Sequence, residues 1–239
     1  MNIIDKIINK QQNMNGNCSI TIAFLGDSVT QGCFECYTTS ETSIDTVFDS
    51  KSSYSTRLKE ILNVLYPNVQ FNIINSGISG DNATNGYARL DRDVLNFNPD
   101  LCIVSYGLND SCLSTLEQYS QSISKIFSTL KDNGIETIFL TQNCMCTTTS
   151  PHLKDDILKN YSKDFVKIQN SGLFRQFMLE AKSLAKKYGA KVCDLYPVWE
   201  RLIACGVNVT DLLSNYLNHP IREFHYYMAI KLIETILDI

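Results

Sequence analysis

Residues 19–32 read SITIAFLGDSVTQG, and their first half decides the fold. Ser19 to Leu25 is a short, β-rich apolar run without polar alternation, the pattern of a strand buried on both faces of a parallel sheet. It stops abruptly at Gly26-Asp27-Ser28, small and polar residues suited to an opening loop. Downstream, past a polar stretch rich in Thr and Ser, the spacing of Tyr54, Leu58, Ile61, Leu62 and Leu65 predicts a helix closed by Pro67. A strand is expected over Val69 to Ile74, then a helix around Thr84 to Leu95 that stops at Asn98-Pro99. Leu101 to Tyr106 reads as a third strand, running into Gly107-Leu108-Asn109-Asp110. A helix from Leu116 to Lys131 ends on the cap pair Asn133-Gly134, followed by a strand over Glu136 to Thr141. Residues 142–168 read as irregular. A helix over Leu173 to Tyr188, ended by Gly189, a strand over Lys191 to Leu195 and a helix over Glu223 to Leu237 complete the chain.

Strands alternating with helices in this way predict an α/β protein: a three-layer α/β/α sandwich around a flavodoxin-like, doubly wound, five-stranded parallel sheet. Ligands in such folds bind beyond the carboxyl ends of the strands, where strand order reverses. Chemistry is therefore expected in the loops after the first three strands, at Asp27-Ser28, Asn75 to Asp81 and Gly107 to Asp110.

Composition narrows the function classes. The 239 residues, 44% of them hydrophobic, can bury a sizeable core, and one domain spanning 1–239 is expected, with 1–17 as an N-terminal extension. A formal net charge of -4 gives no basic face for nucleic acid or an anionic membrane. The first segment is broken by Asp5, Lys6 and Lys10, unlike a signal peptide, and no apolar stretch approaches the roughly 18 residues of a membrane span, so the cytoplasm is the expected address. Nine cysteines (Cys18, Cys33, Cys36, Cys102, Cys112, Cys144, Cys146, Cys193 and Cys205), odd in number and scattered, are expected to be free thiols. Cys33-x-x-Cys36 lacks the second pair of a zinc ribbon, so neither a metal nor an organic cofactor is expected. Phosphate-binding G-x-x-x-x-G-K-[ST] and G-x-G-x-x-G loops are absent, as is the G-x-S-x-G elbow.

A serine hydroxyl becomes a nucleophile only beside a base, with donors ready for the oxyanion that forms. Ser28 sits where a strand ends and a turn begins, a position equally suited to a plain helix cap. Around it, GDSVTQG at 26–32 resembles the first block of the SGNH/GDSL hydrolases, NSGISGDNATNGYARL at 75–90 their second, YGLND at 106–110 their third, and NHP at 218–220 their last. The resemblance covers nearly the whole chain and implies Ser28 as nucleophile, His219 as general base, and Ser28, Gly80 and Asn109 as oxyanion donors. Of the other two histidines, His152 reads as a surface loop residue and His225 as a helix-face or packing residue; a His219, Glu223, His225 metal site is disfavoured by Pro220. Tyr87, Tyr106, Phe34 and Tyr37 could line a substrate pocket.

One position departs from the family pattern. The family's last block is D-x-x-H, yet Tyr216 stands three residues before His219. Asn215 and Asn218 surround the histidine instead, as in a subset of the family carrying N-x-x-N-H-P. Asp211 is the nearest upstream carboxylate and the candidate orienter; a backbone carbonyl or an asparagine in a Ser-His dyad is the alternative. The resemblance implies hydrolysis of a small-molecule carboxylic ester through an acyl-enzyme, with a short acyl group such as acetyl, on carbohydrate. Lysophospholipases and thioesterases of the same family, a silent binding domain and a flavodoxin-like binder are the competing readings.

Overall fold

The computed structural model describes residues 2–13, 15–16, 19–40 and 43–239. Cys18 lies outside the described residues, as do some positions of the expected 1–17 extension. In chain order the elements are α1 (Ile3–Gln12), β1 (Ile20–Gly26), α2 (Ser28–Gln31), β2 (Cys33–Ser40), β3 (Ser43–Phe48), α3 (Tyr54–Leu65), β4 (Phe71–Gly77), α4 (Ala83–Ala88), α5 (Leu90–Asp93) and β5 (Leu101–Ser105). They continue with α6 (Leu108–Leu113), α7 (Leu116–Asp132), β6 (Glu136–Leu140), α8 (Asp156–Asn170), α9 (Leu173–Tyr188), β7 (Lys191–Cys193), α10 (Tyr196–Ala204) and α11 (Arg222–Leu237).

The five-stranded sheet has the order β4-β1-β5-β6-β7 and every pairing in it is parallel. The chain steps from β1 to one side and then returns to the other, so the order reverses on either side of β1. This is the flavodoxin-like, doubly wound α/β/α sandwich expected from the alternation of elements. α3 packs on α11 over one face, and α7 packs on α4 and α9 over the other. Phe24, Leu25, Ile103, Val104, Phe139 and Leu140 are fully buried between these layers, which explains their uninterrupted apolar runs. Ile3 and Ile7 of α1, within the segment expected as an extension, are buried in the same core.

Local chemistry accounts for the element ends. The Asp27 carboxylate accepts from Val29 N–H at 3.0 Å and starts α2, which Gly32 closes in the left-handed region at φ 97°. Thr115 and Gln118 form a reciprocal capping box at the start of α7, and Gly189 at φ 83° ends α9.

Four regions differ from the sequence expectation. The Thr- and Ser-rich stretch before α3 forms an antiparallel hairpin, β2 with β3. The single helix expected over Thr84 to Leu95 breaks at Arg89 into α4 and α5, because this buried arginine leaves helical geometry (ψ 6°) and sends its guanidinium to strand-end carbonyls. Within 142–168, expected to be irregular, α8 begins at Asp156. A further helix, α10, starts at Tyr196, directly after the expected fifth strand, with a proline in its first turn.

Candidate active site

The loops after β1, β4 and β5 meet at the carboxyl edge of the sheet. Ser28 is the first residue of α2 and is 4% exposed, as is His219. The Ser28 hydroxyl lies 2.9 Å from His219 Nε2, and His219 Nδ1 lies 2.7 Å from the carbonyl oxygen of Phe34 on β2. A carbonyl can only accept, so Nδ1 carries the hydrogen and donates it, leaving the Nε2 lone pair to accept from the serine hydroxyl. Burial pushes the imidazole down to about 4, against the opposite pull of the Phe34 hydrogen bond and the Glu35 carboxylate. At neutral pH the His219 imidazole is thus uncharged, with its Nε2 lone pair directed at the Ser28 hydroxyl.

The residues facing this pair come from two loops. Gly80 takes φ 77°, and a β-carbon built there meets no atom within 4 Å, so the backbone conformation and not lack of space calls for glycine. Among the described residues neither Ser28 N–H nor Gly80 N–H has an intramolecular acceptor. Asn109 donates one amide hydrogen to the Asp81 carbonyl at 2.8 Å, which aims the group and leaves its second hydrogen over. Close approach matters here too: a β-carbon on Gly77 would sit 2.2 Å from Gln31 N, so β4 reaches α2 only because that residue is glycine.

Buried polar side chains tie the loops together. Arg89, on the α4–α5 break, donates to the carbonyls of Gly26 (3.0 Å) and Ser76 (2.6 Å) and to the carboxylate of Asp81 (2.6 and 2.8 Å). Gln142, just after β6, donates to Asp27 at 2.6 Å and accepts from Leu108 N–H at 2.6 Å, linking the Ser28 loop to the Asn109 loop. Burial pushes the Asp27 carboxyl up to about 6 against those hydrogen bonds, and pushes Asp110 up to about 7. Asp110 accepts from Ala83 N–H at 2.9 Å, pinning the start of α4. Asn215 organises the histidine loop: its carbonyl oxygen collects the N–H groups of Leu217, Asn218 and His219 at 3.0, 2.9 and 3.0 Å.

Ser28, Gly80, Asn109 and His219 all line one cleft of about 310 Å³. Asp211 does not join them. It is exposed, accepts from Asn208 Nδ2 at 2.8 Å, and the place it was expected to fill, beyond His219 Nδ1, is taken by the Phe34 carbonyl. A short turn over Val209–Leu212 directs it away from the cleft. The four aromatics expected around the pocket are not its lining; Tyr161 and Phe165 of α8 are, facing Ile44, Asp45 and Thr46 of the hairpin. His225 is a packing residue, buried against Phe34 and Tyr54, and His152 is exposed and stacked on Tyr216. Among the described residues no group of three or more His, Cys, Asp or Glu could hold a metal ion.

Arg89, Gln142 and the Phe34 carbonyl were not singled out from the sequence. The first stands inside the quoted second block, with Asp93 one helical turn on, a spacing that signals an ion pair. A backbone carbonyl carries no residue signature at all.

A family model described as the GDSL-like lipase/acylhydrolase family matches residues 24–225. The chain belongs to that family. The GDSL match contains all the residues that line the cleft. An arylesterase from Vibrio mimicus is 33% identical over 69 residues, which are 28% of this chain and 34% of that protein. Among solved structures, the fold is similar to a two-domain esterase active on acetylated mannans (TM-score 0.67, 19% identity, 98% of this chain and 52% of that one). It is also similar to Axe2, an acetylxylan esterase from Geobacillus stearothermophilus (TM-score 0.65, 17% identity, 91% and 94%). The chain thus spans about half of the mannan esterase and aligns with about a third of the arylesterase. These solved structures share its fold.

Proposed function

We propose that the protein hydrolyses short-chain carboxylic esters, acetyl esters of carbohydrates foremost, through an acyl-enzyme on Ser28. The observation that carries this is the 2.9 Å contact from Ser28 Oγ to His219 Nε2 with the histidine tautomer set by Phe34. His219 Nε2 takes the hydroxyl proton as Ser28 Oγ adds to the ester carbonyl carbon. The oxyanion is held by Ser28 N–H, Gly80 N–H and the second amide hydrogen of Asn109. As the C–O bond to the alcohol breaks, Nε2 returns the proton to the leaving oxygen; a water then gives its proton to Nε2 as it attacks the acyl-serine, and Nε2 passes that proton to Ser28 Oγ as the bond to the serine breaks and the acid leaves.

The size and lining of the cleft support the substrate class. A volume of about 310 Å³ suits a small acyl group, and Asp45, Thr46, Ser79 and Asn218 beside Ile44, Tyr161 and Phe165 offer both hydroxyl partners and an apolar face. The esterases of similar fold act, by name, on acetylated xylan and mannan. No helix among the described residues is long and apolar enough to cross a membrane, and eight free thiols there support a reducing, cytoplasmic setting.

The test is hydrolysis of p-nitrophenyl acetate, longer p-nitrophenyl esters and acetylated xylooligosaccharides by the wild type and Ser28→Ala. Acetyl esters should be cleaved fastest, with loss of about 1,000-fold or more in kcat on removing Ser28. Equal rates in both proteins would remove Ser28 as the nucleophile; preference for long acyl chains would replace the substrate class.

A further inference from the structure

The orienter of His219 is a backbone atom on a two-stranded ribbon outside the main sheet, so something must hold that atom in place. Pairing within the ribbon does not. Cys33 pairs with Phe48 and Cys36 with Thr46, so two residues of β2, Phe34 and Glu35, stand opposite one of β3. Such a bulge takes its residues out of the ladder and re-aims their backbone groups, which frees the Phe34 carbonyl for His219 but leaves it unsupported by the partner strand.

Arg222 supplies the support. It opens α11, three residues after His219, and its guanidinium reaches both strands of the ribbon. It donates to Glu35 at 2.6 and 3.1 Å in a two-pronged contact and to Asp49, just past β3, at 3.0 Å. The guanidinium also lies over the Phe34 ring at 4.2 Å. That ring is fully buried, with His225 at 4.7 Å. Side chain, strand and histidine segment are therefore locked at one point, immediately behind the Nδ1 contact.

We propose that Arg222 is a positioning residue for the base: by gripping Glu35 and Asp49 and covering Phe34, it fixes the bulge carbonyl that does the orienting work of the missing aspartate. This rests on the Ser28–His219 reading of the site. Two further features fit. The ion pairs are half-exposed, where such pairs add little net stability, so their consequence is geometric. Two carboxylates against one guanidinium also leave a negative charge over, and the Glu35 field acts on His219 in the direction that favours its protonated form. Lysine could not replace the planar fork that holds a carboxylate by two prongs while stacking on a ring.

The experiment compares Arg222→Gln, Arg222→Lys and Glu35→Gln with the wild type in p-nitrophenyl acetate kinetics and in the proton NMR signal of the His219 Nδ1–H, which is read whether or not the ester is cleaved. Misplacement of a reacting group by about 1 Å costs up to about a hundredfold. Arg222→Gln should lower kcat about tenfold or more with KM unchanged and weaken or abolish the downfield Nδ1–H signal; Arg222→Lys should fall between it and the wild type. Should Arg222→Gln not fold, Glu35→Gln, altered at a partly exposed side chain, carries the same expectation in milder form. A lowered melting temperature with kcat within twofold and an intact Nδ1–H signal would overturn the proposal and leave Arg222 a structural residue. An intact wild-type Nδ1–H signal without ester hydrolysis would instead count against the proposed activity, while loss of that signal in Arg222→Gln would still support the positioning role.

Discussion

In the proposed mechanism His219 serves as the base with no carboxylate behind its Nδ1. A neutral carbonyl at Nδ1 orients the ring but brings no full charge to its protonated form, and burial holds the imidazole down at about 4. A base is active when unprotonated, so a lowered value extends activity towards acid. kcat/KM for p-nitrophenyl acetate should therefore stay level from neutral pH to about 5 and fall as pH drops through about 4. A limb centred near 6 would transfer control to Asp27, whose carboxyl is held up at about 6 directly beside Ser28, the proposed nucleophile. Ser28, Gly80, Asn109 and His219 stand in motifs with fixed residue types, and the structure brings them to one cleft. The partner of Nδ1 is a main-chain oxygen 185 residues away; a backbone carbonyl was the alternative to Asp211, but any side chain at position 34 would provide it equally, so no residue type marks which carbonyl it is.

The loop that carries the histidine is organised by one amide. Asn215 accepts from three consecutive backbone N–H groups, and its own NH₂ donates to Asn218 at 3.0 Å and lies 3.3 Å from Cys36 Sγ. Asn215→Ala would strand those donors in a buried setting, where each unpaired group costs about 1–3 kcal/mol. The expected outcome is a clearly lowered melting temperature together with reduced kcat, while Asn215→Asp keeps the acceptor oxygen and should retain most of the stability. Equal melting temperatures for the two variants would mean that the three contacts do not hold the loop. Among the elements themselves, β1, β5 and β6 were legible because burial on both faces demands unbroken apolar runs. The hairpin was not: with burial alternating or absent along β2 and β3, its Thr and Ser residues look like loop. Helix α8 did leave a signal, Ile157, Leu158, Tyr161, Phe165 and Ile168 at helical spacing, masked by the Thr147-to-Pro151 run just before it.

Across the whole molecule, the reversal of strand order beside β1 gathers polar groups into the interior, and their ionisation should be visible in global stability. Asp110 is 1% exposed, keeps one oxygen on Ala83 N–H and has no partner for the other. Burial pushes it from 3.8 up to about 7, with the Asp27 and Asp81 charges adding to the effect. The unfolded chain releases this proton near 3.8, whereas the folded chain keeps it to about 7, so folding loses free energy progressively as pH rises through that window and no further above it. His219 and His225, held by burial at about 4 and about 3 against 6.5, run the other way and remove stability as pH falls below 6.5. Two buried acids and two buried histidines therefore oppose each other between about 4 and 6.5, which flattens the wild-type profile and hides each contribution. Asp110→Asn exposes one of them, since asparagine keeps an oxygen for Ala83 but does not titrate. Its melting temperature relative to wild type should rise steadily from pH 4 to pH 7 and then level off. A difference constant over that range would show that Asp110 ionises in the folded protein as freely as in the unfolded chain.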